Sequence, residues 1–200
     1  NIGGDYYDFI ELNENEIAFC ISDISGKGIP AAILMANFQA NMRALLTPQS
    51  SLKEFISVLN QKVLAITKAE KFITLFIAKY NYNTRILTYI NAGHNPSILF
   101  KNGDSKLLDQ GCTILGMFST LPNIVFGEIT IEPGTVLLNY TDGLSEASNN
   151  EEKLFDTEGL INFLNQYPNL PLSDFNAKLV DHVIAYMQNT DFDYDITLLT

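Results

Sequence analysis

Ile17-Ala18-Phe19-Cys20-Ile21-Ser22-Asp23-Ile24-Ser25-Gly26-Lys27-Gly28-Ile29-Pro30 decides the fold of this 200-residue chain. Its first part, Ile17 to Ile21, is apolar without alternation, which predicts a strand covered on both faces. Gly26 and Gly28 then allow a sharp exit, and Pro30 suits the first turn of a helix. A buried strand therefore ends beside an acid, Asp23, and hands over to a helix over 29–46. Leu34, Phe38, Met42 and Leu45 recur near one face of that helix.

Working outward, Tyr6 to Leu12 reads as a strand, and Asn13-Glu14-Asn15 as the turn that pairs it with Ile17 to Ser22 in a hairpin. Beyond Pro48, Ser51 caps a second helix whose apolar stripe is Leu52, Phe55, Ile56, Leu59 and Val63. The middle of the chain is β in character. Phe72 to Tyr80 and Arg85 to Asn91 flank a polar turn. Ser97 to Phe100 and Ser105 to Leu108 flank Asn102-Gly103, a hairpin signal. Ile124 to Ile131 and Thr135 to Tyr140 flank Pro133-Gly134, which suits a type II turn. Helices over 158–166 and 172–188 and a strand over 196–199 follow. Strands joined mainly by hairpins demand antiparallel pairing. Runs buried on both faces need two packed sheets with helices outside. The expected fold class is thus α+β, a layered α-β-β-α sandwich of two antiparallel sheets flanked by helices.

Lys and Arg number 12 against 23 Asp and Glu, a net charge of −11, and 46% of residues are hydrophobic. That composition fills a core and excludes disorder for most of the chain. An acidic surface repels phosphate backbones and anionic lipids, so nucleic acid and membrane surfaces are not expected partners. No apolar run approaches the roughly eighteen residues of a membrane span. Cys20 and Cys112 make neither a CxxC motif nor a disulfide framework. Cys20 reads as a small core residue, and a cytoplasmic setting is expected. No repeat or linker interrupts residues 1–200, so one domain is expected. Its start at Asn1-Ile2-Gly3-Gly4-Asp5, without Met and almost at once a strand, reads as a domain excised from a longer protein.

The acids sit at the ends of the apolar runs. Asp23 follows Ile17 to Ser22, and Asp142 follows Val136 to Thr141. Asp5 and Asp8 open the first strand, and Asp193 and Asp195 precede the last. In an antiparallel sheet the finish of one strand and the start of its neighbour share an edge, so acids from distant sequence can meet there. Gathered carboxylates repel; either their pKa values rise or a divalent cation neutralises them. Oxygen-only ligands point to a hard ion, Mg²⁺ or Mn²⁺. Two such ions about 3.5–4 Å apart acidify a bridging water and clamp a phosphoryl group, which makes hydrolysis of a phosphate ester the implied chemistry. No Ser-His-Asp or Cys-His arrangement and no P-loop competes. A single Asp beside a strand is more often a turn former or a helix cap, so the argument rests on the placements taken together.

The chain resembles the bacterial PPM-family (type 2C) serine/threonine phosphatases of the SpoIIE/RsbU group. The resemblance lies in five segments in the family's order: Gly3-Gly4-Asp5-Tyr6-Tyr7-Asp8; Ser22-Asp23-Ile24-Ser25-Gly26-Lys27-Gly28-Ile29-Pro30-Ala31-Ala32; Asn91-Ala92-Gly93-His94-Asn95-Pro96; Tyr140-Thr141-Asp142-Gly143-Leu144-Ser145-Glu146-Ala147; and Asp195-Ile196-Thr197-Leu198-Leu199. It implies a two-metal site for two Mn²⁺ or Mg²⁺ ions. Asp23 would bridge them, the Ile24 carbonyl would add a ligand, Asp142 would bind the second ion, and Asp5 would reach metal directly or through water. The family's last ligand is usually the first of two adjacent acids before Ile-Thr. Here Tyr194 stands in that place, with Asp193 and Asp195 on either side. By resemblance, Asp23 and Asp142 carry the catalysis. The substrate would be a phosphorylated regulatory protein such as an anti-sigma-factor antagonist (a STAS-domain protein), under control of an upstream sensor or receiver domain, with room for a homodimer. Lys27 is a candidate phosphate contact. His94 is expected to cap the tight turn from Gly93 to Pro96, and His182 to be a partly exposed helix residue. The alternative, motivated by Tyr194, is a degenerate phosphatase fold that binds or signals without catalysis.

Overall fold

The computed structural model describes residues 3–188, 192 and 195–200. The chain forms two compact units, Asn1–Pro96 with Leu108–Glu132, and Ser97–Leu107 with Pro133–Thr200.

In the first unit, β1 (Asp5–Asn13) and β2 (Glu16–Ile24) form the expected hairpin, and β2 pairs in turn with β3 (Ile73–Asn81), which pairs with β4 (Ile86–Ala92). β7 (Gly111–Cys112) and β8 (Gly127–Thr130) both pair with β4. α1 (Ile29–Leu45) and α2 (Leu52–Thr67) lie between β2 and β3 in sequence. Their stripes are those expected from spacing: Leu34, Phe38 and Met42 from α1 and Leu52, Phe55, Ile56, Leu59 and Val63 from α2 are buried with Cys20, Ile24, Ile73, Leu75 and Ile77 of the sheet. The Ser51 hydroxyl accepts the Glu54 N–H at 3.2 Å and caps α2. Ile21 and Phe76, on the other face of the sheet, are also fully buried, so the uninterrupted apolar run of β2 does reflect burial on both sides.

The second unit holds a four-stranded sheet ordered β10-β9-β5-β6, from β5 (Ser97–Lys101), β6 (Asp104–Leu108), β9 (Val136–Tyr140) and β10 (Leu198–Leu199). Its helices are α3 (Asp142–Ser145), α4 (Asp156–Gln166) and α5 (Leu172–Met187). Phe175, Leu179, Val183 and Met187 of α5 and Leu160, Phe163 and Leu164 of α4 pack with Ile98, Phe100 and Leu138. His182 is half-buried, edge-on to Phe155 and Phe163.

Three expectations need correction. Pro133-Gly134 does turn, with Gly134 at φ 80°, but it closes no hairpin: β8 and β9 belong to different sheets. The six-stranded sheet is not wholly antiparallel, since β7 runs parallel to β4. The β5–β6 hairpin lies between those two strands in sequence and supplies the long return that parallel pairing requires. Asp23 lies inside β2 rather than past its end, because the ladder to β1 and β3 extends through it. Among the described residues, no helix is long and apolar enough to cross a membrane.

β1 is fastened to α1 by a buried acid. Asp8 accepts Arg43 Nε at 2.8 Å and its terminal nitrogen at 2.6 Å, the Tyr6 hydroxyl at 2.7 Å and the Phe9 N–H at 2.9 Å. Burial alone would raise the Asp8 carboxyl, but the Arg43 and Tyr6 hydrogen bonds outweigh it and hold Asp8 below the usual carboxylate range. Stabilisation of this kind is present above the ordinary carboxylate pKa and fades as pH falls through the lowered one. Arg43→Ala should therefore lower the melting temperature at neutral pH, with a deficit that shrinks in melts recorded toward about pH 3.

Candidate metal centre

β1 and β2 set two carboxylates opposite each other. The Ile24 N–H donates to the Gly4 carbonyl at 3.0 Å. The next pair in the register, Asp5 and Asp23, is therefore of the non-hydrogen-bonded kind, in which facing side chains come closest. Like charges directly opposite are destabilising unless something neutralises them. Both acids are half-buried. Cys20 and Ile24 face the helices, so Asp23 and its partner Asp5 lie on the opposite face of the sheet.

Gly4 leaves the room beside them. A Cβ at this position would stand 2.5 Å from the Ile24 carbonyl oxygen and 2.9 Å from Asp23 Oδ1. The Asp23 carboxylate and the Ile24 and Gly26 carbonyls thus border a position that any larger residue would fill. All are hard oxygen donors. Mg²⁺ is commonly held by one or two carboxylates, with waters and substrate phosphate completing its shell, and this donor set fits it. Among the described residues, no three His, Cys, Asp or Glu side chains gather into a cage.

On its other side Asp23 pairs with Thr74 of β3. The Asp23 N–H donates to Thr74 Oγ1 at 3.3 Å, Ser22 Oγ donates to the Thr74 carbonyl at 2.7 Å, and Thr74 Oγ1 lies 2.8 Å from His94 Nδ1. His94 is not the cap of its turn. Asn91 caps it, accepting the His94 N–H at 2.8 Å and donating to the His94 carbonyl at 2.9 Å, while Gly93 supplies φ 68°. The imidazole is buried, 6% exposed, against Thr74. Sequence reasoning did not single out Thr74, since a threonine in an apolar strand is an ordinary β-former.

Lys27 is exposed on the bend between β2 and α1. Lys71 escaped the sequence reading; its Nζ lies 3.1 Å from where a Cβ on Gly26 would be, and Gly26 at φ 110° is a position that favours glycine.

In the second unit, Asp142 opens α3 directly after β9. The Thr141 N–H donates to the Thr197 carbonyl at 3.2 Å and the Thr197 N–H to Thr141 Oγ1 at 2.9 Å, carrying the β9–β10 pairing one step further. Half-buried Asp142 and exposed Asp195 are thereby brought to the same end of that strand pair. Asp193 and Tyr194 lie outside the described residues.

Comparison with known proteins follows the same lines. The family model described as Stage II sporulation protein E (SpoIIE) matches residues 13–200, a range that leaves out Asp5 and Asp8. Phosphoserine phosphatase RsbU of Bacillus subtilis is 32% identical over 151 residues, covering 72% of this chain and 43% of RsbU. The chain thus spans less than half of that relative. The SiaA-PP2C domain of Pseudomonas aeruginosa superposes with a TM-score of 0.85 at 17% identity, over 98% of this chain and 79% of that one. RsbX solved in complex with magnesium gives 0.69 at 20% identity, over 99% and 86%. The expected α+β class, two sheets flanked by helices, is the fold of these PP2C-like structures.

If the space beside Gly4 admits a cation, Mn²⁺ should raise the melting temperature, by about 2.7 kcal/mol of added stability at a hundredfold excess over its dissociation constant. Gly4→Ala should abolish that gain. Thermal melts with and without the ion read both outcomes.

Proposed function

The chain belongs to the SpoIIE family, and on that premise we propose that it is a metal-dependent protein serine/threonine phosphatase. The observation that carries this reading is the opposed pair Asp5 and Asp23, beside the Ile24 carbonyl and the room Gly4 leaves. Two Mg²⁺ or Mn²⁺ ions, when bound, supply Lewis acidity toward phosphoryl oxygens and acidify a water. By the resemblance, Asp23 would bridge the two ions, the Ile24 carbonyl and Asp5 would add ligands, and Asp142 would bind the second ion, with Asp193 or Asp195 as the last ligand. Asp193, expected alongside Asp195, falls outside the described residues.

The chain's own contribution is positional. The β1–β2 ladder fixes the first two acids, and the Asp8–Arg43 pair holds β1 against α1. Among the described residues, the hydroxyl and thiol groups flanking Asp23 are engaged or buried. The Ser22 hydroxyl is committed to the Thr74 carbonyl, the Ser25 hydroxyl accepts the Phe72 N–H at 2.9 Å, and Cys20 is buried on the helix side with its thiol pushed up by burial. The reading is therefore direct hydrolysis by water, without a phosphoenzyme. Lys27 and Lys71 offer ammonium charge to a phosphate drawn toward the acids, which an otherwise acidic chain needs.

The substrate class in this reading is phosphoserine or phosphothreonine on a folded regulatory protein of the anti-sigma-factor-antagonist type, with control by a domain outside these 200 residues. The name of RsbU, the sequence resemblance and the small share of RsbU that the chain spans support it. A second reading, a non-catalytic module of the same fold, draws on Tyr194, which stands where the family usually has an acid.

One assay separates the two. The enzyme should hydrolyse p-nitrophenyl phosphate with Mn²⁺, lose activity in chelator and regain it on adding the ion back. Asp23→Asn and Asp142→Asn should each cost at least the roughly 100-fold that losing an outer-shell partner can reach. No turnover under any divalent ion would favour the module.

A further inference from the structure

A row of side chains crosses three strands on the face away from α1 and α2. Asp5 of β1 lies opposite Asp23 of β2, and Asp23 lies opposite Thr74 of β3. Continued into β4, the register brings Thr74 to Gly93, one residue before His94. The row ends on the buried imidazole, with Nδ1 at 2.8 Å from Thr74 Oγ1.

The hydrogen bonds along the row have a direction. Because Asp5 and Asp23 are a non-hydrogen-bonded pair, the Asp23 N–H points toward β3, where Thr74 Oγ1 also accepts it at 3.3 Å. Threonine has one hydroxyl proton and two acceptor lone pairs. With the Asp23 N–H accepted by Thr74 Oγ1, the hydroxyl proton is left to donate to His94 Nδ1, the tautomer in which the ring proton sits on Nε2. The far end is anchored on the main chain, since Asn91 grips His94 through both its N–H and its carbonyl. The Asn91 N–H is itself bonded to the Gln110 carbonyl at 2.9 Å. The rotamer of Thr74, the immediate neighbour of Asp23, is thus set from a rigid turn on the next strand.

We propose that His94 is a positioning residue for the metal ligand Asp23, acting through the Thr74 hydroxyl. The inference rests on the metal reading above. If His94 only plugged its own turn, Thr74 would need no hydroxyl and the cation would be indifferent to it. Outer-shell partners of ligating groups typically govern affinity by 10–100-fold.

The test uses the 200-residue chain, with three measurements: the Mn²⁺ dissociation constant from electron paramagnetic resonance of the free ion, the Asp23 amide resonance in metal-free protein, and the metal-free melting temperature. Thr74→Val and His94→Leu should each weaken Mn²⁺ binding about tenfold or more. Thr74→Ser keeps the hydroxyl and His94→Asn keeps an acceptor near the Nδ1 position, so both should bind close to wild type. His94→Leu should also move the Asp23 amide resonance with no metal present. Should His94→Leu fail to fold, the Val and Ser variants of Thr74 carry the test between them. Equal losses in Thr74→Ser and Thr74→Val would overturn the proposal, as would an unmoved Asp23 amide in His94→Leu. If Asp23→Asn abolishes binding but Thr74→Val leaves it intact, this inference alone falls. If the wild-type protein binds no Mn²⁺, the metal reading falls and takes the inference with it.

Discussion

Repulsion between Asp5 and Asp23 is the constraint around which this structure is arranged. Strand register forces them to face each other at the spacing where cross-strand side chains come closest, and both are half removed from water. Like charges directly opposite each other work against the strand pairing. The surroundings hold them in place. Asp8 fastens β1 to α1 through Arg43, Ser22 ties β2 to the Thr74 carbonyl of β3, and Gly4 keeps the adjoining space open. Under the proposed metal reading, a cation held by Asp23 and the Ile24 carbonyl would offset that repulsion.

Asp8 shows that the same residue type can serve the opposite purpose. It lies three residues from Asp5, on the helix side, and its charge is fully answered by a guanidinium, a phenol and a backbone N–H. Alternation along β1 thus puts Asp8 on the helix side and Asp5, the proposed metal ligand, on the opposite face. In a chain of net charge −11 most acids face solvent, and what distinguishes Asp5 and Asp23 is enforced proximity rather than number.

Much of this was legible in the sequence because it depends on local rules. The β1–β2 hairpin, the cap at Ser51, the stripes of α1, α2 and α5 and the Asn102-Gly103 turn each follow from periodicity or turn chemistry. The placement of Asp5 against Asp23 was legible only as a shared sheet edge, since register is fixed by long-range packing. The same limit explains the misreading at Pro133-Gly134. A turn signal reports a reversal of the chain and does not report which sheet receives the next strand. β7, two residues long, has no periodicity to read. Thr74 and the buried setting of His94 carried no local signal, because their meaning lies in a contact across twenty residues.

The central claim is tested most directly by a crystal of this protein soaked in Mn²⁺ and measured for anomalous scattering. A peak within coordination distance of an Asp23 carboxylate oxygen and the Ile24 carbonyl, on the open side of Gly4, is the result expected. Saturating Mn²⁺ with no peak there, or with ions bound only at unrelated surface acids, would contradict the account.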